Sequence, residues 1–121
     1  MPVRATADVA PINRDLNTER IAFAALRRDL RAALQAFAPP PDVDERVLTF
    51  AEEFGAAHTA KALSTNPKQF GLAAKPRDPA FAALKPQIEA LHASNERMTT
   101  LVVQRENILA QADPKRARVY I

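Results

Sequence analysis

The side chains of this chain that could perform chemistry are two histidines and one pair of adjacent glutamates. His58 and His92 are far apart in sequence, so neither is followed by a second histidine at the three- or four-residue spacing with which a helix presents two metal ligands. Glu52 and Glu53 are neighbours, and adjacent side chains on a helix point about 100° apart. We therefore predict neither a metal centre nor a paired-carboxylate catalytic site.

Other signatures of catalysis are also missing from the sequence. The chain contains no cysteine, and no serine is flanked by glycines as in a nucleophile elbow. Gly55 and Gly71, its two glycines, are too far apart to form a glycine-rich phosphate loop. These observations predict a protein that is not an enzyme and that uses no cofactor.

The composition indicates one small domain with a modest apolar core. The chain has 121 residues, of which 47% are hydrophobic and 26% charged. No apolar run approaches the ~20 residues that span a bilayer, and the first residues lack the apolar stretch of a secretory signal. We expect a cytoplasmic protein without a membrane span; export without a cleavable signal is the alternative.

Helical periodicity begins after an N-terminal arm. Residues 1–16 show no apolar stripe and include two prolines, which predicts a flexible arm. The first helix is expected to begin near Asn17 or Thr18 and to end near Ala38, because three consecutive prolines follow. Its apolar face comprises Phe23, Leu26, Leu30, Ala33, Leu34 and Phe37.

A second helix is predicted directly after the three prolines. Asp42 and Glu45 have the spacing of a capping box, in which each side chain accepts a backbone hydrogen bond at the helix start. Gly55 lies further along, and glycine costs about 1 kcal/mol relative to alanine inside a helix. The helix either kinks at Gly55 or continues to Leu63, and we favour continuation. The apolar face consists of Val43, Val47, Phe50 and Phe54.

Proline after a capping residue marks three later helix starts. A proline at the first helical position loses nothing by lacking an N–H, and asparagine or aspartate before it can cap the helix. Asn66-Pro67 predicts a short element over residues 67–73, in which Gly71 is a C-cap or lets the backbone pass close to a neighbouring helix, and Asp78-Pro79 predicts a turn over 79–84. A kink at Pro86 is expected next, followed by a long helix from Pro86 to Ala112. The pairs are Asn66-Pro67, Asp78-Pro79 and Asp113-Pro114.

The long last helix has the clearest periodicity in the chain. Its seam has the alternating three- and four-residue spacing of a coiled coil. Asn95 and Arg105 are polar seam positions, which in coiled coils fix register or partner number, so we predict them as interaction residues. The alternative is a bundle helix with both residues at the edge of its buried face. The seam consists of Ile88, Leu91, Asn95, Met98, Val102, Arg105 and Leu109.

Together these patterns predict an all-α fold, a small antiparallel bundle of three to four helices with a long C-terminal helix. The predicted organisation is an arm over 1–16, a bundle domain over 17–112 and a basic tail over 113–121. The predicted core comprises Phe23, Leu26, Leu30, Leu34, Val47, Phe50, Phe54, Phe70, Ile88, Leu91, Met98, Val102 and Leu109.

The C-terminal tail has an excess of positive charge. The net charge is +3, and the tail holds three cations, Lys115, Arg116 and Arg118, against one acid. This tail predicts contact with an acidic partner or with nucleic-acid phosphates, although three charges would give a weak, salt-sensitive affinity for DNA. A second electrostatic candidate for DNA is the arginine group of the first helix, diluted by two nearby acids: Arg20, Arg27, Arg28 and Arg31.

The stretch from residue 60 to residue 74 resembles the middle of a BID domain, the helical module of effectors and relaxases exported by type IV secretion. In that family a helix ends at an Asn-Pro or Asp-Pro, and a short helix with a hydrophobic–glycine pair follows. Ala74 stands where the family prefers glycine. The resemblance implies a secretion signal or adaptor recognised by a coupling ATPase. The matching residues are Asn66, Pro67, Phe70, Gly71, Leu72 and Ala73.

The last helix, from Leu91-His-Ala-Ser-Asn95 to Asn107-Ile-Leu109, is also similar to that of flagellar and secretion chaperones of the FlgN type. This resemblance implies a small helical protein that holds a helix of its client in a groove. The three prolines of residues 39–41 interrupt the first long helix that such chaperones have.

We therefore predict a non-enzymatic helical protein–protein interaction module. Its partner is secretion machinery if the chain is a signal or adaptor, and a client helix if the chain is a chaperone or assembly factor. A DNA-binding accessory protein is the third alternative. A recruitment module is expected to be a monomer with a free basic tail, and a chaperone to show an apolar groove or a homodimeric seam.

Overall fold

The chain folds into helices joined by short turns. The structure, a computed structural model, describes the backbone of residues 2–112 and the side chains of residues 9–111. Within that range it contains no strand, which confirms an all-α bundle with a long C-terminal helix. The α-helices are α1 (Pro2–Ala33), α2 (Val43–Phe54), α3 (Ala56–Thr65), α4 (Pro79–Ala82) and α5 (Lys85–Ala112), with 3-10 turns at Gln35–Phe37 and Pro67–Phe70.

The helices form two compact units. The core unit consists of residues 23–94, and the other unit combines the chain up to Ala22 with the chain from Asn95 onwards. We call the described part of the latter, residues 9–22 of α1 and 95–111 of α5, the helix pair. This division differs from the single bundle domain predicted over 17–112, because α1 and α5 are long enough to contribute residues to both units.

The core unit holds one continuous apolar cluster. Phe81 is fully buried with its ring centroid 4.7 Å from that of Phe37, and the ring of Phe70 meets Phe50 edge-on at 5.3 Å. Aromatic pairs at these separations add to the stabilisation that burial itself provides. The buried residues of the cluster are Leu30, Leu34, Val43, Val47, Ala60, Leu63, Phe70, Leu72, Phe81, Leu84, Ile88 and Leu91.

The predicted core is correct for about half of its members. The prediction that Phe54 belongs to the core is wrong, because half of this side chain is exposed at the C-terminal end of α2. Phe81, which the prediction omitted, is fully buried. The predicted residues that are only half-buried are Phe23, Leu26, Phe50, Met98, Val102 and Leu109.

The helix starts agree with the proline pattern more closely than with the capping pattern. Asp78 caps α4 as predicted, since its carboxylate accepts a hydrogen bond from the Ala80 amide at 3.0 Å. Pro67 also begins its turn, but the side chain of Asn66 makes no capping bond. The capping box is wrong: Asp42 forms no cap and instead accepts from Arg46 Nε at 3.0 Å.

The predicted continuous helix through Gly55 is also wrong. Gly55 has φ 89° and ψ 155°, a conformation that only glycine adopts readily, and it separates α2 from α3. Thr59 stabilises the break, since its Oγ1 donates to the Gly55 carbonyl at 2.8 Å and its backbone amide does so at 3.1 Å. The break lets α3 bury Thr59, Ala60 and Leu63.

The first helix begins much earlier than predicted. Residues assigned to an arm are helical from Pro2, and the two prolines did not prevent this. Pro11 lies inside α1, where it removes one backbone hydrogen bond. Leu16 lies in the segment that was predicted to be an arm, and it is 1% exposed. Its burial explains why the helix extends this far, since tertiary packing offsets the cost of the proline.

Candidate functional site

Arg105 of the predicted α5 seam contacts α1 of the same chain. Arg105 is half-buried, and its Nη1 donates to Oδ1 of Asn13 at 3.3 Å. Arg97, two residues after the seam residue Asn95, donates from Nε to Glu19 Oε1 at 2.6 Å. As residue numbers rise along α5 the partner numbers fall along α1, so these helices are antiparallel, and α1 takes the place of the second chain that a coiled-coil seam would need.

The contact between the Arg97 guanidinium and the Glu19 carboxylate is bidentate. A second bond joins Arg97 Nη2 to Glu19 Oε2 at 3.3 Å, which is the geometry in which guanidinium and carboxylate fit best. The hydrogen bond to Glu19 raises the pKa of Arg97 above its ordinary value. Because Arg97 is itself exposed, the pair fixes register more than it adds stability.

The helix pair buries little of its apolar surface. Among its described side chains only Leu16 is a fully buried apolar residue. Leu101 and Ile108 are seven residues apart and so lie on nearly the same side of α5, and both are half-buried. We call the half-buried aliphatic residues of this helix the α5 apolar row: Met98, Leu101, Val102, Ile108 and Leu109.

The core unit contains a buried carboxylate held by two arginines. Asp44, at the start of α2, is 1% exposed. Its Oδ2 accepts from Arg27 Nε at 2.7 Å, and its Oδ1 accepts from Arg31 Nη2 at 2.8 Å and from Arg31 Nε at 3.2 Å. Arg27 and Arg31 are one turn apart on α1, so both reach the same carboxylate.

The electrostatics of Asp44 reflect two opposing effects. Burial, the largest single effect, raises its pKa, but hydrogen bonds from Arg31 and Arg27 and the charge of Arg27 together hold the pKa of this carboxyl below its ordinary value. The same hydrogen bond raises the pKa of Arg31. Asp44 is therefore ionised at neutral pH, and it fixes α1 against α2.

A depression of about 240 Å³ opens beside this carboxylate. Ala24 is a short side chain on the same face of α1 and leaves room between the arginines. Arg28 adds a third guanidinium that is 76% exposed, and its Nε lies 3.8 Å from Asp29 Oδ1. The residues that line the depression are Ala24, Arg27, Arg28, Arg31 and Asp44.

The BID-like residues belong to the core unit. Pro67 and Phe70 are buried, and Leu72 is 2% exposed. Gly71 is left-handed with φ 78°, as a C-cap requires, and a Cβ there would lie 3.0 Å from Pro40 and 3.1 Å from Arg46. Packing and backbone geometry thus account for these residue types.

The remaining candidates from the sequence are the basic tail and the two histidines. The tail residues Lys115, Arg116 and Arg118 lie outside the described residues. Glu96 follows His92 by one turn, but in the described part of the chain no three histidine, cysteine or acidic side chains come close enough together to hold a metal ion. Likewise, no helix within it is long and apolar enough to cross a membrane.

Sequence reasoning missed Asp44, although a signal was present. Asp44 precedes Val47 and Ala51 by three and seven residues, so a helix beginning at residue 43 places all three on one face. A carboxylate on an apolar face requires a cation opposite, and Arg27 and Arg31 have the one-turn spacing to supply it.

Comparisons of the chain with protein-family models, with curated proteins and with solved structures found no match.

Proposed function

We propose that this chain is a non-enzymatic helical interaction module that captures an amphipathic helix of a protein partner on the α5 apolar row. The observation that carries the proposal is the contrast between the two units. The core unit buries a continuous apolar cluster, whereas the helix pair has a single fully buried apolar residue among its described side chains. Two helices alone cannot enclose the row, and a third can.

Charge favours a helix partner over nucleic acid at this surface. The described helix pair contains four basic and four acidic side chains: Arg14, Arg20, Arg97, Arg105, Asp15, Glu19, Glu96 and Glu106. A balanced surface neither attracts phosphates over a distance nor repels an amphipathic helix. A client-holding role also has this surface observation in its favour, whereas Pro67, Phe70 and Leu72 of the secretion-signal motif are buried.

The test uses a defined probe. A fluorescein-labelled peptide with the sequence of α5, Lys85–Ala112, presents an apolar stripe of the required kind and is titrated with the full chain by fluorescence anisotropy. We expect saturable binding that weakens at least about tenfold in the Leu101→Gln/Ile108→Gln variant, a loss of ~1.4 kcal/mol or more. Each aliphatic side chain contributes roughly 1 kcal/mol when its exposed half is buried.

The matched control is Val103→Gln. Val103 is an aliphatic residue of the same helix and is 52% exposed, but it points about 160° away from Leu101. Its substitution should leave the affinity unchanged. Absence of saturable binding up to ~1 mM peptide, or an equal loss in the control variant, would show that the α5 apolar row is not a helix-binding surface.

A further inference from the structure

We propose that the depression over Ala24 is a binding site for a dianionic phosphate group, held by the guanidinium groups of Arg27, Arg28 and Arg31. The chemical class is a phosphate monoester or the free phosphate ion. The site lies wholly within the core unit and is independent of the α5 apolar row.

Two of the three arginines are fixed in place before any ligand arrives. Asp44 receives Nε and Nη2 of both Arg27 and Arg31, so neither side chain has to lose its full rotamer freedom on binding. Arg27 also lies over the ring of Phe23, with its Cζ 5.7 Å from the ring centre. Each of the two guanidiniums has further N–H groups beyond those directed at Asp44.

Arg28 is available to a ligand because most of its side chain is exposed. Its side chain is 76% exposed, and its Nε is 3.8 Å from Asp29, beyond hydrogen-bond distance. It nevertheless lines the same depression as the two fixed arginines. Three guanidiniums around one cavity match the three oxygens of a phosphate group, whereas a carboxylate has only two.

The charge of the lining matches a dianion. Three arginines and Asp44 sum to +2, and a phosphate monoester carries about −1.5 to −2 at pH 7. Glu45 Oε1 lies 3.4 Å from Arg27 Nη2, and Asp29 Oδ1 lies 3.8 Å from Arg28 Nε. Both carboxylates are outside the lining and are 66% and 63% exposed, so water and salt screen their repulsion of the ligand. A carboxylate or a phosphodiester has a single negative charge, so its electrostatic attraction to this lining is weaker.

The size of the depression suits a small group. Its volume of about 240 Å³ is below the ~300–1,000 Å³ of pockets that enclose whole drug-sized ligands. Ala24 leaves this space, and a longer side chain at that position fills it.

The test follows the arginine Nε–H signals of the full chain by NMR while phosphate is added. Inorganic phosphate and a short phosphoserine peptide are the probes, and acetate and a single-stranded oligonucleotide are the competitors. We expect saturable shifts of Arg28 and Arg31 at pH 7.5 that weaken below pH 6, where the phosphate loses its second charge. Tighter binding of the phosphopeptide than of inorganic phosphate identifies a phosphorylated partner, and equal or weaker binding identifies the free ion; both support the site.

Two variants leave the Asp44 cluster intact. Ala24→Met should abolish the saturable shifts by filling the depression, and Arg28→Gln should weaken binding at least about fivefold. Arg14→Gln, which removes one exposed arginine of the same helix elsewhere, should change nothing. Acetate or oligonucleotide binding as tight as phosphate, or equal losses in Arg14→Gln, would overturn the proposal. The Ala24→Met variant should still bind the α5 peptide, because the α5 apolar row is unchanged. A failure of the phosphate site can therefore be distinguished from a failure of the proposed function.

Discussion

Removing the two arginines around Asp44 should cost far more stability than removing Asp44 itself. In Arg27→Met/Arg31→Met the carboxylate stays in a site where it is 1% exposed and loses both partners. Breaking a buried pair in this way costs about 3–5 kcal/mol. Protonation limits the loss, because neutralising a carboxyl of pKa near 3.9 at pH 7 costs about 4 kcal/mol at 1.36 kcal/mol per pH unit. We therefore expect a loss of roughly 3–4 kcal/mol.

The reverse change should be milder. Asp44→Asn leaves Arg27 and Arg31 without an anion, but their side chains are 31% and 50% exposed and can take up water. The expected loss is about 1–2 kcal/mol, the cost of charge-assisted hydrogen bonds that water partly replaces. Adding Asp44→Leu to the double methionine variant should recover most of its loss, because a buried ion pair can be exchanged for apolar residues at little cost.

Urea denaturation at pH 7 and pH 5 measures all four proteins. In the double methionine variant the hydrogen bonds and charges of the arginines are gone, and burial, the largest effect on the pKa of Asp44, raises it. The free energy of unfolding should therefore be higher at pH 5 than at pH 7. Asp44→Asn serves as the control, since it lacks the titrating group. The reasoning is refuted if the double methionine variant loses less than Asp44→Asn, or if its stability does not increase on acidification.

Three further outcomes follow from the fold. Gly55→Ala should destabilise the protein by about 1–3 kcal/mol in urea denaturation, because its φ of 89° and ψ of 155° suit glycine alone; a gain would mean that α2 and α3 can fuse. Phe81→Ala should cost about 3–5 kcal/mol in thermal melts, and Phe54→Ala, whose ring is half exposed, under about 1 kcal/mol; equal costs would contradict the described core. Because the pKa of Asp44 is lower in the folded chain than in the unfolded one, its contribution is complete above about pH 4 and is lost as pH falls further; the wild type should therefore lose more stability between pH 5 and pH 3 than Asp44→Asn.

Features that depend on neighbouring residues could be predicted from the amino-acid sequence. Asp78-Pro79 predicted a capped helix start because the aspartate carboxylate and the proline ring act within one turn of the chain. Three consecutive prolines predicted the end of the first helical segment for the same reason. Gly71 likewise predicted the left-handed cap of the turn at Pro67–Phe70. The long seam of α5 predicted an extended final helix, since periodicity is a property of one segment.

Features that depend on distant residues required the folded structure. The helical start of α1 opposes the local cost of about 3 kcal/mol for a proline inside a helix, and burial of Leu16 outweighs that cost. The break at Gly55 agrees with the low helix propensity of glycine, about 1 kcal/mol, and it accompanies the burial of Leu63. Asp44 looked like one acid of a capping segment until α1 placed two arginines beside it. The sequence already showed the arginines of the candidate phosphate site as a basic group on the first helix, but the cavity exists only when α1 and α2 pack.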